Sequence, residues 1–177
     1  MFRLFKKECV VGPQDKMWVE QTVTWLINKF GKDELLSLET ISPEIFKEGV
    51  GKTRSEFADI LFEKIRVAFK IPSLDFEIIY NQSPESEVDG VGVLTGTIRE
   101  EGGVSAWSTF KEAKLIIYLD QKILTDFDLL ASNLSYFLSL HKLKQIHKFE
   151  NVSGYNAEVA AIIFGSGIFI SNSNISH

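Results

Sequence analysis

The stretch Phe127–His141, FDLLASNLSYFLSLH, decides the fold of this chain. Its large apolar side chains recur at the three- and four-residue spacing of one helix face, at Leu130, Leu134, Phe137 and Leu138. This spacing predicts a buried helix over about residues 126–141. We expect the rest of the chain to pack around this organising helix.

Residues 130–138, LASNLSYFL, have the frame of LAHELAHYL, the HExxH pattern of zinc peptidases. In that pattern two histidines one helical turn apart bind zinc, and the glutamate activates the bound water. Here the three positions hold Ser132, Asn133 and Tyr136. Neutral hydroxyl oxygens are poor zinc ligands, and an amide cannot take a proton from water. We therefore predict no catalytic residue, no metal ligand and no cofactor.

The composition predicts one small domain over residues 1–177, because a chain with 45% hydrophobic residues at this length can fill a single core. A formal charge of −5 argues against general nucleic-acid binding, which needs a clustered basic face. A single cysteine, Cys9, excludes an internal disulfide. The longest apolar run, residues 159–170, is shorter than the roughly 20 residues of a membrane span. We expect a soluble cytoplasmic protein with no membrane contact.

Helical spacing predicts a first helix over residues 13–30, which ends at Gly31, and a less regular stretch over residues 32–48. Thr53 and Glu56 have the spacing of a capping box that starts another helix. The preceding GVGKT, residues 49–53, resembles the end of a phosphate-binding loop, but Phe46 stands where that loop needs its first glycine. A nucleotide site is therefore not predicted.

Alternating and apolar segments predict strands over residues 74–80, 91–98, 104–110 and 113–119, the last buried on both faces. Residues 81–90 and 99–103 are predicted to be a loop and a turn. A polar connection is expected over residues 142–153, followed by an apolar closing helix over about residues 156–173. Gly165 and Gly167 within it predict close packing or a break.

The order of helices and strands, together with the HExxH-shaped frame, resembles the core of the zincin metallopeptidases. Residues 9–11 and 16–20 resemble the Cys-x-Val and Lys-x-Trp-Val-Glu segments of an uncharacterised group of bacterial metallopeptidase-like proteins. The closing segment resembles that group's Gly-x-Gly-Ile-Phe-x-x-Asn motif at Gly165, Gly167, Ile168, Phe169 and Asn172. The resemblance implies an α+β fold with a zincin-like core, a small, mostly antiparallel sheet and additional N-terminal helices.

The resemblance also implies a degenerate site. The segment that would supply a third zinc ligand corresponds to residues 154–158, of which only Glu158 is acidic at a matching position. We expect a vestigial cleft formed by Ser132, Asn133, Tyr136 and Glu158, in which the buried carboxylate of Glu158 accepts a hydrogen bond from the Tyr136 hydroxyl, the Ser132 hydroxyl or the Asn133 amide. His141 and His147 are six residues apart and do not share a helix face, so no replacement site is predicted from them.

These features favour a non-catalytic metallopeptidase-like domain, a pseudoenzyme that acts by binding a protein partner. The alternative is a metal-dependent hydrolase or peptidase whose site is atypical or completed by a partner chain.

Overall fold

The computed structural model describes residues 12–81, 96–100 and 103–173. These residues form an α+β fold in which helices cover one face of a four-stranded sheet. One large hydrophobic cluster joins the helices to that face, and a smaller cluster lies on the other side of the sheet. The α+β class predicted from the sequence is therefore confirmed.

The N-terminal half of the fold is helical, as predicted. Helix α1 is Pro13–Phe30, and Gly31, with a φ of +83°, separates it from the short helix α2, Lys32–Leu36. A 3₁₀ helix follows at Pro43–Gly49. Helix α3, Arg54–Ala68, begins with the predicted capping box, in which Glu56 N–H donates to Thr53 Oγ1 and Thr53 N–H donates to Glu56 Oε2.

The sheet contains β1, Asp75–Asn81; β2, Gly96–Glu100; β3, Gly103–Lys111; and β4, Lys114–Asp120. Their order is β1-β4-β3-β2, with β1 parallel to β4 and the other two pairs antiparallel. The sheet is therefore mostly antiparallel, as predicted. Arg99 and Glu100 belong to β2 and Gly103 begins β3, so the turn predicted over residues 99–103 is wrong at both ends. Asn81, predicted to begin a loop, is the last residue of β1. Residues 82–95, predicted as loop and strand, lie outside the described part of the chain.

Strand β4 is the centre of the sheet and is packed on both faces, as predicted. Leu115, Ile117 and Leu119 join the main hydrophobic cluster under the helices. On the opposite face Tyr118 stacks on Trp107 of β3, with ring centroids 3.8 Å apart.

The organising helix, α4, is Phe127–His141 and confirms the sequence prediction. Asp120 ends the sheet by capping a 3₁₀ helix at Gln121–Thr125, where Lys122 N–H donates to its carboxylate. Asp126 then caps α4, because its side chain accepts a hydrogen bond from Leu129 N–H at 3.0 Å. A π-helical turn, Lys142–Ile146, extends α4.

The closing segment is not one continuous helix. It consists of α5, Gly154–Ala161; a π-helical turn, Ile162–Ser166; and α6, Gly167–Ser173. Gly165 breaks the helical path with a φ of +114°, because the backbone of Glu39 passes beside it and Ile41 N–H donates to the Gly165 carbonyl at 2.9 Å. The sequence predicted close packing or a break at the glycines, and both are present at Gly165.

Residues Gly154–Ser173 together are long and apolar enough to cross a membrane by composition, but 44% of their most apolar window is buried inside the protein. The break at Gly165 also divides this stretch into two short helices. The stretch is therefore an interrupted and partly buried segment of the fold.

Candidate functional site

Helix α4 carries the candidate site and packs against the closing segment, as predicted. The Ser135 hydroxyl donates to the Ala131 carbonyl at 2.7 Å and lies 2.8 Å from the Ser166 hydroxyl in the π-helical turn. In the first turn of α4, Asp128 accepts a hydrogen bond from Asn172 Nδ2 of α6 at 3.3 Å. The α4 face that meets the break and α6 is therefore defined by positions 128 and 135.

The three positions of the HExxH frame lie in different surroundings on α4. Ser132 is half-buried, whereas Asn133 is only 3% exposed. Asn133 Nδ2 donates to the Leu129 carbonyl at 2.8 Å within the same helix. Its Oδ1 is buried and has no hydrogen-bond partner in the structure. The position of the catalytic glutamate is therefore enclosed by protein and its amide is bonded to its own helix.

Tyr136, at the position of the second histidine, is 8% exposed and lies under the first turn of α5. A Cβ atom at Gly154 would lie 3.0 Å from the Tyr136 hydroxyl oxygen, so the glycine allows the phenol to approach the α5 backbone closely. Burial, and after it the negative charge of Glu158, raises the pKa of Tyr136. The phenol therefore stays protonated and neutral at neutral pH.

Glu158 lies near Tyr136 but is exposed, so the prediction that it is buried in a cleft is wrong. Within the described part of the chain, no hydrogen bond joins Glu158 to Ser132, Asn133 or Tyr136. The buried stripe of this segment runs through Ala157, Ala160, Ala161 and Phe164. Glu158 follows the first of these by one residue, about 100° around the helix, and so turns outward. The protein around its carboxyl group still removes part of its hydration and raises its pKa.

Because Glu158 is exposed, the predicted polar network is not present among these four residues, and the resemblance that suggested it is weakened. Ser132, Asn133, Tyr136 and Glu158 do lie where two packed segments meet, but they do not line one shared cleft. That these four positions descend from an active site stays a prediction.

Lys142 is a buried charge that the sequence analysis missed, since it was assigned to a polar connection. It is 3% exposed, and its Nζ donates to the Phe69 carbonyl at the C-terminal end of α3 at 2.7 Å. The ammonium group lies over the rings of Phe164 and Phe30, 4.7 and 5.1 Å from their centroids. Burial lowers its pKa. Lys142 thereby joins α4, α3, α1 and the closing segment at one point.

The two described histidines lie on different sides of the fold. His141 is buried and packs against Phe110 of β3, and its Nδ1 has no hydrogen-bond partner among the described residues. Burial lowers its pKa to about 4. His147 is exposed and its ring packs on Phe30 of α1. Among residues 12–81, 96–100 and 103–173, no three His, Cys, Asp or Glu side chains come together as a potential metal site.

No protein-family model, no curated protein and no solved structure matches this chain. The resemblance to the zincins therefore rests on the sequence motifs quoted above.

Proposed function

We propose that this chain is a non-catalytic, metallopeptidase-like domain that acts in the cytoplasm by binding a protein partner. The observation that carries the proposal is the state of Asn133. A general base must reach a water molecule beside the substrate and accept its proton. Asn133 occupies that position with an amide that is 3% exposed and already donates to the Leu129 carbonyl.

The packing of Tyr136 supports the same proposal. Its ring fills the space between α4 and the start of α5, which is where the second histidine of the frame would have to meet a metal. A neutral phenol is a weak ligand for zinc, and burial keeps this phenol protonated. The helix frame therefore contributes to packing in this fold, which supports a role in binding rather than in catalysis.

A peptidase assay with added zinc tests this proposal. The full chain is incubated with a mixture of fluorogenic peptides, with and without zinc, beside the variants Tyr136→Phe and Glu158→Gln. We expect no zinc-dependent hydrolysis in any of the three proteins.

Hydrolysis that requires zinc and falls at least about tenfold in Glu158→Gln would establish the alternative, a metal-dependent hydrolase with an atypical site. The Glu158→Gln variant is a fair comparison because Glu158 is exposed, so the change leaves the core intact. Circular dichroism of each variant checks that the fold is retained.

A further inference from the structure

Strand β1 is an edge of the sheet formed by the described residues. It pairs only with β4 within the described residues, and it stands at the end of the strand order. None of its residues from Asp75 to Tyr80 is fully buried, in contrast to the central strand β4. Phe76 and Ile78 contribute to the main hydrophobic cluster and are only partly buried. An additional strand would bury these two side chains further and pair the outer backbone groups of β1, for which the described part of the chain provides no strand partner.

The charge around β1 is negative. Its two exposed side chains, Asp75 and Glu77, are both acidic, and Lys114 of the adjacent strand donates to Glu77 at 2.8 Å. At the other end of the strand, the carboxylate of Asp59 on α3 lies close enough to Tyr80 to raise the pKa of that phenol, after the larger effect of burial. After the ion pair is counted, Asp75 and Asp59 leave the edge acidic.

This charge decides between a second copy of the chain and a different partner. Pairing β1 with β1 of another copy would bring Asp75 and Glu77 of both chains together, and like charges across a strand pair are destabilising. A strand with lysine or arginine side chains would instead meet opposite charge. We infer that β1 is a docking edge for an extended, basic segment of a partner protein, which adds to the sheet beside β1.

This inference rests on the proposed function, because it names the surface through which a binding domain of this kind would act. Main-chain hydrogen bonds supply the affinity in such strand addition, and alternate side chains supply the specificity. The partner segment needs alternating residues: apolar ones to cover Phe76 and Ile78, and basic ones to meet Asp75 and Glu77.

Hydrogen exchange with a defined peptide tests the inference. The probe is a capped seven-residue peptide of alternating lysine and valine, which matches the seven residues of β1. A second peptide replaces lysine with glutamate. Two further peptides keep the lysines but carry N-methyl groups on the backbone nitrogen of every valine or of every lysine. Each of them therefore lacks the backbone N–H donors along one edge of the strand. We expect the basic peptide to slow exchange of β1 amides, the glutamate peptide to have no effect, and at least one N-methylated peptide to lose binding.

Two charge variants of the full chain provide the matched comparison. Asp75→Lys should weaken binding of the basic peptide about three- to tenfold, from one lost attraction and one new repulsion. Glu20→Lys makes the same change in net charge on the exposed side of α1 and should leave binding within about twofold.

Three results would overturn the inference. They are unchanged exchange in β1 with the basic peptide, full binding retained by both N-methylated peptides, and sedimentation of the free protein as a dimer with β1 protected. None of these results bears on zinc content or peptidase activity, so a failure here is distinguishable from a failure of the proposed function.

Discussion

The break in the closing segment predicts a large and specific cost for Gly165→Ala. Gly165 has a φ of +114° and a ψ of 4°, a conformation that side chains with a Cβ rarely adopt. A Cβ atom there would also lie 2.3 Å from the Glu39 carbonyl oxygen. Because that obstacle is backbone, the segment that contains Glu39 and Ile41 has to move.

Two contributions set the size of the effect. The unfavourable backbone conformation costs about 1 to 3 kcal/mol. Displacement of the Glu39 segment lengthens or breaks the 2.9 Å hydrogen bond from Ile41 N–H to the Gly165 carbonyl, at about 1 kcal/mol. We therefore expect Gly165→Ala to lower the free energy of unfolding by about 2 to 4 kcal/mol.

Gly167→Ala is the matched control, because it makes the same chemical change two residues later. Gly167 has helical angles, with a φ of −57°, and an added Cβ would lie 3.3 Å from Cγ2 of Ile162. Ile162 is 47% exposed and can move away. Alanine is also favoured over glycine within a helix by about 0.5 to 1 kcal/mol, so the control should be neutral or slightly stabilising.

Urea unfolding of the three proteins, followed by tryptophan fluorescence, measures these differences, provided that the slopes of the transitions agree. Equal stability of the two variants would show that neither the conformation of Gly165 nor the contact with Glu39 is as described.

Three further predictions concern buried side chains. Leu134→Ala should lower the free energy of unfolding by about 2 to 5 kcal/mol, as for other fully buried leucines, whereas Ser132→Ala should lower it much less. Equal shifts of the urea midpoint in the two variants would mean that the orientation of α4 is wrong. Burial lowers the pKa of His141 from 6.5 in the unfolded chain to about 4 in the folded protein, so folding stability that is present above pH 6.5 should be lost as the pH falls from 6.5 to 4, by up to about 3 kcal/mol. The urea midpoint of His141→Leu should not show this loss. A pH profile of the variant identical to that of the wild type would exclude His141 as its source. Lys142→Ala should destabilise by about 2 to 4 kcal/mol, because it removes a buried stem and leaves the Phe69 carbonyl unpaired; a thermal unfolding curve that matches the wild type would contradict this role.

Elements that depend on local signals were predictable from the sequence. Helix α1 has the predicted bounds because Pro13 suits its first turn and Gly31 its end. The start of α3 follows from Thr53 and Glu56, whose reciprocal hydrogen bonds involve only neighbouring residues. The alternation over residues 74–80 likewise predicted β1, and the apolar run over residues 113–119 predicted that β4 is packed on both faces.

Features that depend on distant segments were not predictable. The glycines suggested a break in the closing segment, but the backbone of Glu39, which lies beside Gly165, is far away in the sequence. The sequence suggests a surface position for Lys142, whereas in the fold α3 ends beside it and its ammonium group lies over two phenylalanine rings. Glu158 was placed in the site by its spacing to a family motif, and its outward direction depends on which stripe of α5 packs against α4. At the candidate site the helix was predicted correctly because its signals are local, whereas the predicted polar network was wrong because it depends on how α5 packs against α4.

The metal content of the purified chain tests the central claim most directly. The protein is prepared without chelators and without a nickel-affinity step, and zinc is measured by inductively coupled plasma mass spectrometry. Because Ser132, Asn133 and Tyr136 stand where the HExxH pattern has two histidines and a glutamate, we predict zinc far below one equivalent per chain and no change in thermal unfolding after chelation. Near one zinc per chain, removable by a chelator with loss of thermal stability, would contradict the account.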